Sequence, residues 1–431
     1  MIPKIEHAST QDIKTFQEEK LRELLTYLNQ HSTYYKRVFT EHHIDINTIK
    51  SIEDLTKIPT TTKDQLQQYN DDFLCVPKNK IIDYVTTSGT LGDPVTFALT
   101  DNDLERLAYN EAISFACAGV KEDDVLQLMT TIDRRFMAGL AYFLGVRKLG
   151  AGIIRVGAGI PELQWDSILK FKPSYLIAVP SFLLKLIEYA EQHNIDINTS
   201  GVKGAICIGE PLREQDFSLN TLSQKIKSKW NIELFSTYAS TEMNTAFTEC
   251  EAQQGGHHHP ELIIVEILDD QNNPIPDGDV GELTITTLGV EGMPLLRFKT
   301  GDMVKAHRDK CSCGRNTLRL GPVVGRKKQM IKYKGTTLYP PAMNNILNDF
   351  NEVELYIIEI SKNSIGTDEI LIKIAATTPT EKLLLRIKDH FRAKLRVAPK
   401  IEFHDKKVIQ KIQFPIMSRK PINVIDKRKT E

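Results

Sequence analysis

The sequence has little to offer a membrane, a nucleic acid or a disulfide framework. No uninterrupted apolar run among its 431 residues approaches the ~20 needed to cross a bilayer. Lys and Arg number 55 against 56 Asp and Glu, a formal net charge of −1. With no basic excess to displace phosphate counterions, nucleic acid is not expected as the main partner. Six cysteines are too few for a secreted disulfide scaffold of this length and suit free thiols or metal ligands better. The opening stretch, MIPKIEHASTQDIK, has no apolar signal region, so a cytoplasmic protein is expected. Internal repeats and long low-complexity stretches are also missing. What is there is ordinary for a folded chain, 41% hydrophobic and 26% charged, with length enough for two or three domains.

The periodicity predicts an α/β fold. Residues 11–29 place Ile13, Phe16, Leu21, Leu24, Leu25 and Leu28 on one helical face. From about residue 106, short apolar runs at 125–129, 153–156, 175–179, 205–208 and 233–238 read as strands. The amphipathic stretches 136–149, 162–171, 181–193 and 213–229 between them read as helices. Such alternation argues for a mostly parallel sheet covered by helices. After Cys250 the character changes. Residues 261–268 and 280–287 flank the turn-rich DDQNNPIPDGD, a hairpin signal and the mark of a smaller β-rich subdomain. From about 329 a short α+β pattern begins, with helices near 341–350 and 380–396, strands near 354–361 and 369–376, and a final strand near 401–405. The domains are expected at 1–326, with the β-rich part at about 246–326, and at 327–431.

Several short segments carry chemistry, each with a plainer reading beside it. Thr86-Thr87-Ser88-Gly89-Thr90-Leu91-Gly92-Asp93-Pro94 lies between two apolar runs. Its amides and hydroxyls could surround phosphate oxygens, or it is a hairpin rich in turn residues. Tyr238-Ala239-Ser240-Thr241-Glu242 ends an expected parallel strand, where ligands of open α/β sheets sit. A carboxylate beside two hydroxyls suits Mg²⁺ that also holds phosphates; Ser240 or Thr241 could instead cap a following helix. Thr300-Gly301-Asp302 is a turn, or a carboxylate placed for two ribose hydroxyls. Gly157-Ala158-Gly159 follows a strand like a dinucleotide fingerprint, but Glu162 stands where its third glycine belongs and no acidic residue ends the next strand. A nicotinamide dehydrogenase is therefore a weak reading.

Taken in order, the loop at 86–94, Gly209-Glu210-Pro211, the 238–242 segment, Thr300-Gly301-Asp302, Gly325-Arg326 and Lys420 resemble the adenylate-forming enzyme superfamily. More closely, the chain resembles its phenylacetate–CoA ligase branch. The resemblance runs from the helix at 21–39 through Ile58-Pro59-Thr60-Thr61-Thr62-Lys63 to Val424-Ile425-Asp426. It implies a large adenylation domain and a small mobile C-terminal domain. Residues 87–92 would order around ATP, with Thr87, Ser88, Gly89, Thr90 and Gly92 as the binding positions. Gly209, Glu210 and Pro211 would line the adenine and Tyr238 stack on it, flanked by Ala239 and Ser240. Thr241 would contact the α-phosphate, and Glu242 would hold Mg²⁺. Asp302 would bind the ribose and Arg326 the nucleotide. Lys328 falls at the interdomain hinge, and Lys420 matches the mobile lysine of adenylation. The departures are Asp93 for a lysine, Leu91 for a hydroxyl residue, Ala239 and Arg419 for glycines, and Lys327-Lys328-Gln329 for an acidic hinge pair.

Cys250, His257, Cys311 and Cys313 offer three thiolates and an imidazole, a set that Zn²⁺ prefers as a closed structural site. Unrelated surface cysteines are the plainer reading. The run His257-His258-His259 leaves the nitrogen ligand open, and the resemblance favours His257. Cys75, Cys117 and Cys207 show no partner pattern, and the last two read as core. The resemblance implies an ATP-dependent ligase joining a carboxylic acid, phenylacetate or a related aromatic acid, to CoA through an acyl-adenylate. It also implies a homodimer, with no membrane partner. Residues 136–143 with Ala246 and Phe247 are expected as pocket walls. Transfer to a carrier protein, or a nucleotide-binding homologue without activity, are the alternatives.

Overall fold

The computed structural model describes residues 2–87, 95–334, 336–363, 367–414 and 422–429. The chain forms two compact units: Met1–Thr300 with Val304–Pro322, and Gly301–Met303 with Val323–Glu431.

The first unit opens with the helix Thr10–His31, capped where Ser9 accepts from the Asp12 N–H (3.1 Å). Ile13, Leu21, Leu24, Leu25 and Leu28 form its buried stripe as the periodicity predicts, but Phe16, expected on the same face, is only half-buried. Gln17 is buried on the same stripe because its amide donates to the carbonyls of Pro260 (3.0 Å) and Ile263 (2.9 Å).

The central sheet runs through Gly152–Arg155, Val125–Leu128, Tyr175–Ala178, Gly204–Ile208 and Glu233–Ser240, all parallel. Thr245–Glu249 then continues it antiparallel. Successive side chains of a strand face opposite sides, and the core divides accordingly. Leu176, Ala178, Ala205, Cys207 and Leu234 pack with Trp165, Leu186 and Ile226 of the helices Pro161–Phe171, Pro180–Gln192 and Thr221–Lys229. Leu126, Leu128, Ile177, Ile206 and Phe235 face Phe115, Tyr142 and Val146 of the helices Asp101–Cys117 and Met137–Leu149. Helices cover both faces, so the interior strands Val125–Leu128, Tyr175–Ala178 and Gly204–Ile208 are almost wholly buried, whereas the edge strand Gly152–Arg155 stays partly exposed. Beyond Thr245–Glu249 the sheet turns antiparallel, including the expected hairpin Ile263–Leu268 with Val280–Thr287.

Three expectations need correction. The helix read at 213–229 begins only at Thr221, capped by Asn220 (2.9 Å from the Ser223 N–H), because Arg213 is drawn into a buried pair with Glu249 (2.7 Å). No helix follows Tyr238–Glu242: the strand turns back into Thr245–Glu249, so neither Ser240 nor Thr241 is a helix cap. In the second unit Lys400–Phe403 is not the last strand. The helix Lys406–Gln413 and the strand Val424–Asp426 follow it.

That second unit is a four-stranded sheet ordered Lys400–Phe403, Asp368–Ala376, Val353–Lys362, Val424–Asp426, with the helices Pro340–Asn348 and Glu381–Leu395 on its core of Ile358, Ile360, Ile372, Ile387 and Phe391. Among the described residues, no helix is long and apolar enough to cross a membrane.

Candidate functional site

Parallel pairing fixes which loops meet. Ile208 pairs with Thr237 and Ala178 with Cys207, so Gly209–Pro211, Tyr238–Glu242 and the start of the helix Pro180–Gln192 leave the sheet at one carboxyl edge. The hairpin of Ile81–Thr86 and Thr96–Thr100 is tied to that edge by the Thr86 N–H, which donates to the Arg135 carbonyl (3.0 Å). Thr87 closes the hairpin: its N–H donates to Val95 O and its hydroxyl accepts from the Val95 N–H, both at 3.0 Å. Ser88, Gly89, Thr90 and Gly92 lie outside the described residues, as do Asp93, Arg419 and Lys420.

The edge residues differ in how much of their bonding is already used. Gly209 has φ +78°, the left-handed region that glycine enters freely. The Glu210 carboxylate accepts from the Ser181 N–H (2.8 Å) and hydroxyl (2.9 Å), anchoring its loop to the N-terminus of the helix Pro180–Gln192, where a negative charge is favourable. Pro211 O accepts from the Asn220 amide (2.7 Å). Tyr238 stands opposite the buried Phe247, ring centroids 6.0 Å apart. Ala239 pairs with the buried Ala246 and Ser240 with Thr245. Within the turn, the Ser240 hydroxyl accepts from Met243 N–H (3.3 Å) and Thr241 O from the Asn244 amide (3.2 Å).

Glu242 is paired with the Lys63 ammonium at 3.1 Å. Lys63 heads the short helix Lys63–Gln68, held by a reciprocal capping box between Thr62 and Gln65. The Thr62-x-x-Gln65 spacing was legible as a cap, but nothing in the sequence linked Lys63 to a residue 179 positions away. Mg²⁺ takes only one or two protein carboxylates, and an ion at Glu242 would share that carboxylate with the Lys63 ammonium.

In the second unit Asp302 and Arg326 pair across short strands, with Nε–Oδ1 at 3.5 Å. Asp302 is the more enclosed partner, at 15% side-chain exposure against 46% for Arg326. Lys328 lies in the turn Lys327–Gln329, and its carbonyl accepts from Arg428 (3.4 Å).

The four cluster residues converge elsewhere in the first unit. The donor atoms of Cys250, His257, Cys311 and Cys313 all lie within 4.8 Å of one another. Cys250 and Cys311 sulfurs are 3.7 Å apart, and Cys313 Sγ is 3.5 Å from His257 Nε2. With Zn–S near 2.3 Å and Zn–N near 2.0–2.1 Å, tetrahedral edges are about 3.8 Å and about 3.5 Å. Both separations would suit ligands of one ion, and 3.7 Å is too long for a disulfide. His257 Nδ1 is bonded to the Thr317 hydroxyl (2.7 Å), which directs Nε2 at the sulfurs. His258 bonds Leu318 O instead (3.3 Å), while His259 bonds Glu6 (2.6 Å) and Ser114 (3.0 Å). Of the three histidines, His257 is the one grouped with the sulfurs. Gly256 is required beside His257, because a Cβ would sit 2.6 Å from the Phe247 carbonyl oxygen.

Burial pushes the Cys250 thiol up; it would also raise Cys313, but the bond to His257 and the contacts with Arg315 hold Cys313 well below the usual thiol range. Cys117 is buried, as expected, and packs directly on this cluster. A residue the sequence reading passed over locks the corner: Glu6, buried, bonds both His259 and Arg315 (2.7 Å). Burial alone would raise its carboxyl, but His259 and then Arg315 outweigh that and hold it at about 2.

Comparison with known proteins agrees with this architecture. The AMP-binding enzyme family matches residues 21–292, more than half of the chain. A phenylacetate-coenzyme A ligase of Thermus thermophilus is 28% identical over 382 residues, 88% of this chain and 84% of that protein. The Escherichia coli phenylacetate-coenzyme A ligase is 26% identical over 381 residues, 86% and 84% of the two chains. A crystal structure of 2-hydroxyisobutyryl-CoA ligase superposes with a TM-score of 0.85 at 23% identity, covering 99% of this chain and 92% of its own, a likeness of fold. With that family's match spanning more than half of its length, the chain belongs to the AMP-binding enzymes.

Proposed function

We propose that the protein is an ATP-dependent carboxylate–CoA ligase working through an acyl-adenylate, with phenylacetate or a related aromatic acid as substrate. The observation that carries the reading is the convergence of 209–211 and 238–242 at one sheet edge, with the Lys63–Glu242 pair beside them. Residues 136–143 with Ala246 and Phe247 would supply the apolar and aromatic walls such an acid needs, and Tyr238 would stack on the adenine.

A carboxylate is a poor acylating agent because oxide is its leaving group. Attack of its oxygen on the α-phosphorus of ATP forms the acyl–phosphate bond and releases pyrophosphate; the CoA thiol then displaces AMP. Negative charge gathers on phosphate oxygens, and preorganised cations and N–H donors there lower the barrier. Mg²⁺ would supply further positive charge at Glu242. Thr241 would meet the α-phosphate, the loop of Thr87, Ser88, Gly89, Thr90 and Gly92 the remaining oxygens, and Lys420 the developing charge. Lys63 would add a cation beside Glu242, and Arg419 would replace the one that Asp93 removes from the loop. Asp302 and Arg326 would hold the ribose end. After adenylation, reorientation about Lys328 would withdraw Lys420 and admit CoA.

We infer further that Cys250, His257, Cys311 and Cys313 hold a structural Zn²⁺, and that the enzyme is a cytoplasmic homodimer. AMP release from a panel of carboxylic acids, with and without CoA, tests the activity. Aryl acetates are expected to give CoA-dependent AMP. Release that needs a carrier-protein thiol, or that ignores the acid supplied, would overturn the reading.

A further inference from the structure

The helix Asp101–Cys117 buries an arginine that forms no ion pair with any carboxylate among the described residues. Arg106 instead donates to oxygens: Nε–H to Leu288 O (2.7 Å), Nη2 to Leu262 O (2.6 Å) and the Thr245 hydroxyl (3.2 Å), and Nη1 to Asn244 O. One helical turn on, Asn110 accepts from the Ala246 N–H (3.1 Å), and its own amide is fixed by donating to Glu111 (3.0 Å). Positions four apart lie on one helix face, and here that face grips three consecutive residues, 244, 245 and 246.

Those residues are where the turn carrying Thr241 and Glu242 re-enters the sheet. No helix stiffens this turn. The Ser240–Thr245 strand pairing and the Ser240 and Asn244 side-chain bonds close it, and Asn244 sits at φ +51°, uncommon for a residue with a Cβ. The direction of Glu242 therefore depends on where the returning strand is pinned as well as on its pair with Lys63. A desolvated guanidinium is costly unless its donors are satisfied, so a fork shared among four oxygens holds all of them in register. An ammonium has no such planar fork.

We propose that Arg106, with Asn110, is a positioning residue that aims the Thr241–Glu242 turn at the nucleotide's phosphates and magnesium. The proposal rests on the assignment of Glu242 made above. The test compares Arg106→Lys, Thr245→Val and Glu242→Gln in the full-length enzyme. Two quantities are read: the Mg²⁺ concentration giving half-maximal acid-dependent ATP–pyrophosphate exchange, and amide hydrogen exchange over 241–246 without nucleotide, both well below each melting temperature. Loss of a charge-assisted bond predicts that Arg106→Lys raises the Mg²⁺ requirement about tenfold and speeds those amides by a similar factor, with the acid KM within about twofold. Thr245→Val, which keeps shape and removes one acceptor, moves both about two- to threefold in the same direction. If Arg106→Lys does not fold, Thr245→Val decides alone. A lowered melting temperature with unchanged Mg²⁺ requirement and amide protection would overturn the proposal and leave Arg106 a merely structural residue. Should Glu242→Gln leave the Mg²⁺ dependence unmoved, the assignment of Glu242 fails instead, and the amide comparison still decides for or against the brace.

Discussion

Two buried glutamates show how differently one unit can treat the same side chain. Glu6 sits in the corner of the cysteine–histidine cluster with His259 and Arg315 against it, and is held at about 2. Glu111 lies between the helices Asp101–Cys117 and Met137–Leu149, which approach so closely that a Cβ on Gly145 would stand 2.2 Å from Glu111 Cβ. Its only bonded neighbour among the described residues is Asn110; Oε2 has no partner, and burial pushes it up to about 8. Charge is used as a fastening in the first region and tolerated as a neutral acid in the second. Burial by itself predicts neither outcome; the partners do.

The contrast can be broken most forcefully at the cluster. Cys311→Ser with Cys313→Ser is expected to remove stoichiometric zinc and to lower the melting temperature by well over 10 °C, because metal binding to such a set contributes directly to folding. Elemental analysis and calorimetry check it, and wild-type protein without bound zinc would refute the assignment. Glu6→Gln comes next. It leaves Arg315 buried without its counter-charge and is expected to cost about 3–5 kcal/mol in denaturant unfolding. Chemically similar, Glu111→Gln should act in the opposite sense. Between about pH 4.5 and 8 the native state keeps the Glu111 proton while the unfolded chain releases it, so this residue lowers stability as pH rises through that window. The variant should flatten that fall and be more stable than wild type by about 1–3 kcal/mol at pH 8. A variant less stable at every pH would show that Glu111 is satisfied by a group not seen here.

The same contrast explains what the sequence revealed. Strands such as Tyr175–Ala178 and helices such as Met137–Leu149 follow their periodicity because helices cover both sheet faces. The Cys-x-Cys and His257 pattern was readable because metal chemistry restricts its ligands to few residue types. What stayed hidden is tertiary. Arg213 is pulled out of an expected helix by Glu249, Lys63 finds Glu242, and Arg106 reaches carbonyls that no side-chain pattern announces. Asn220, the cap that starts the shortened helix, is a local N-terminal signal inside the 213–229 stretch.

The central claim is tested most directly by separating the two half-reactions of a Lys420→Ala variant. Acid-dependent ATP–pyrophosphate exchange is predicted to fall a hundredfold or more, by about the loss of one preorganised charge contact, while acyl-adenylate supplied from outside is still converted to the CoA thioester at close to the wild-type rate. Equal loss of both half-reactions, or exchange that survives the substitution, would contradict the account.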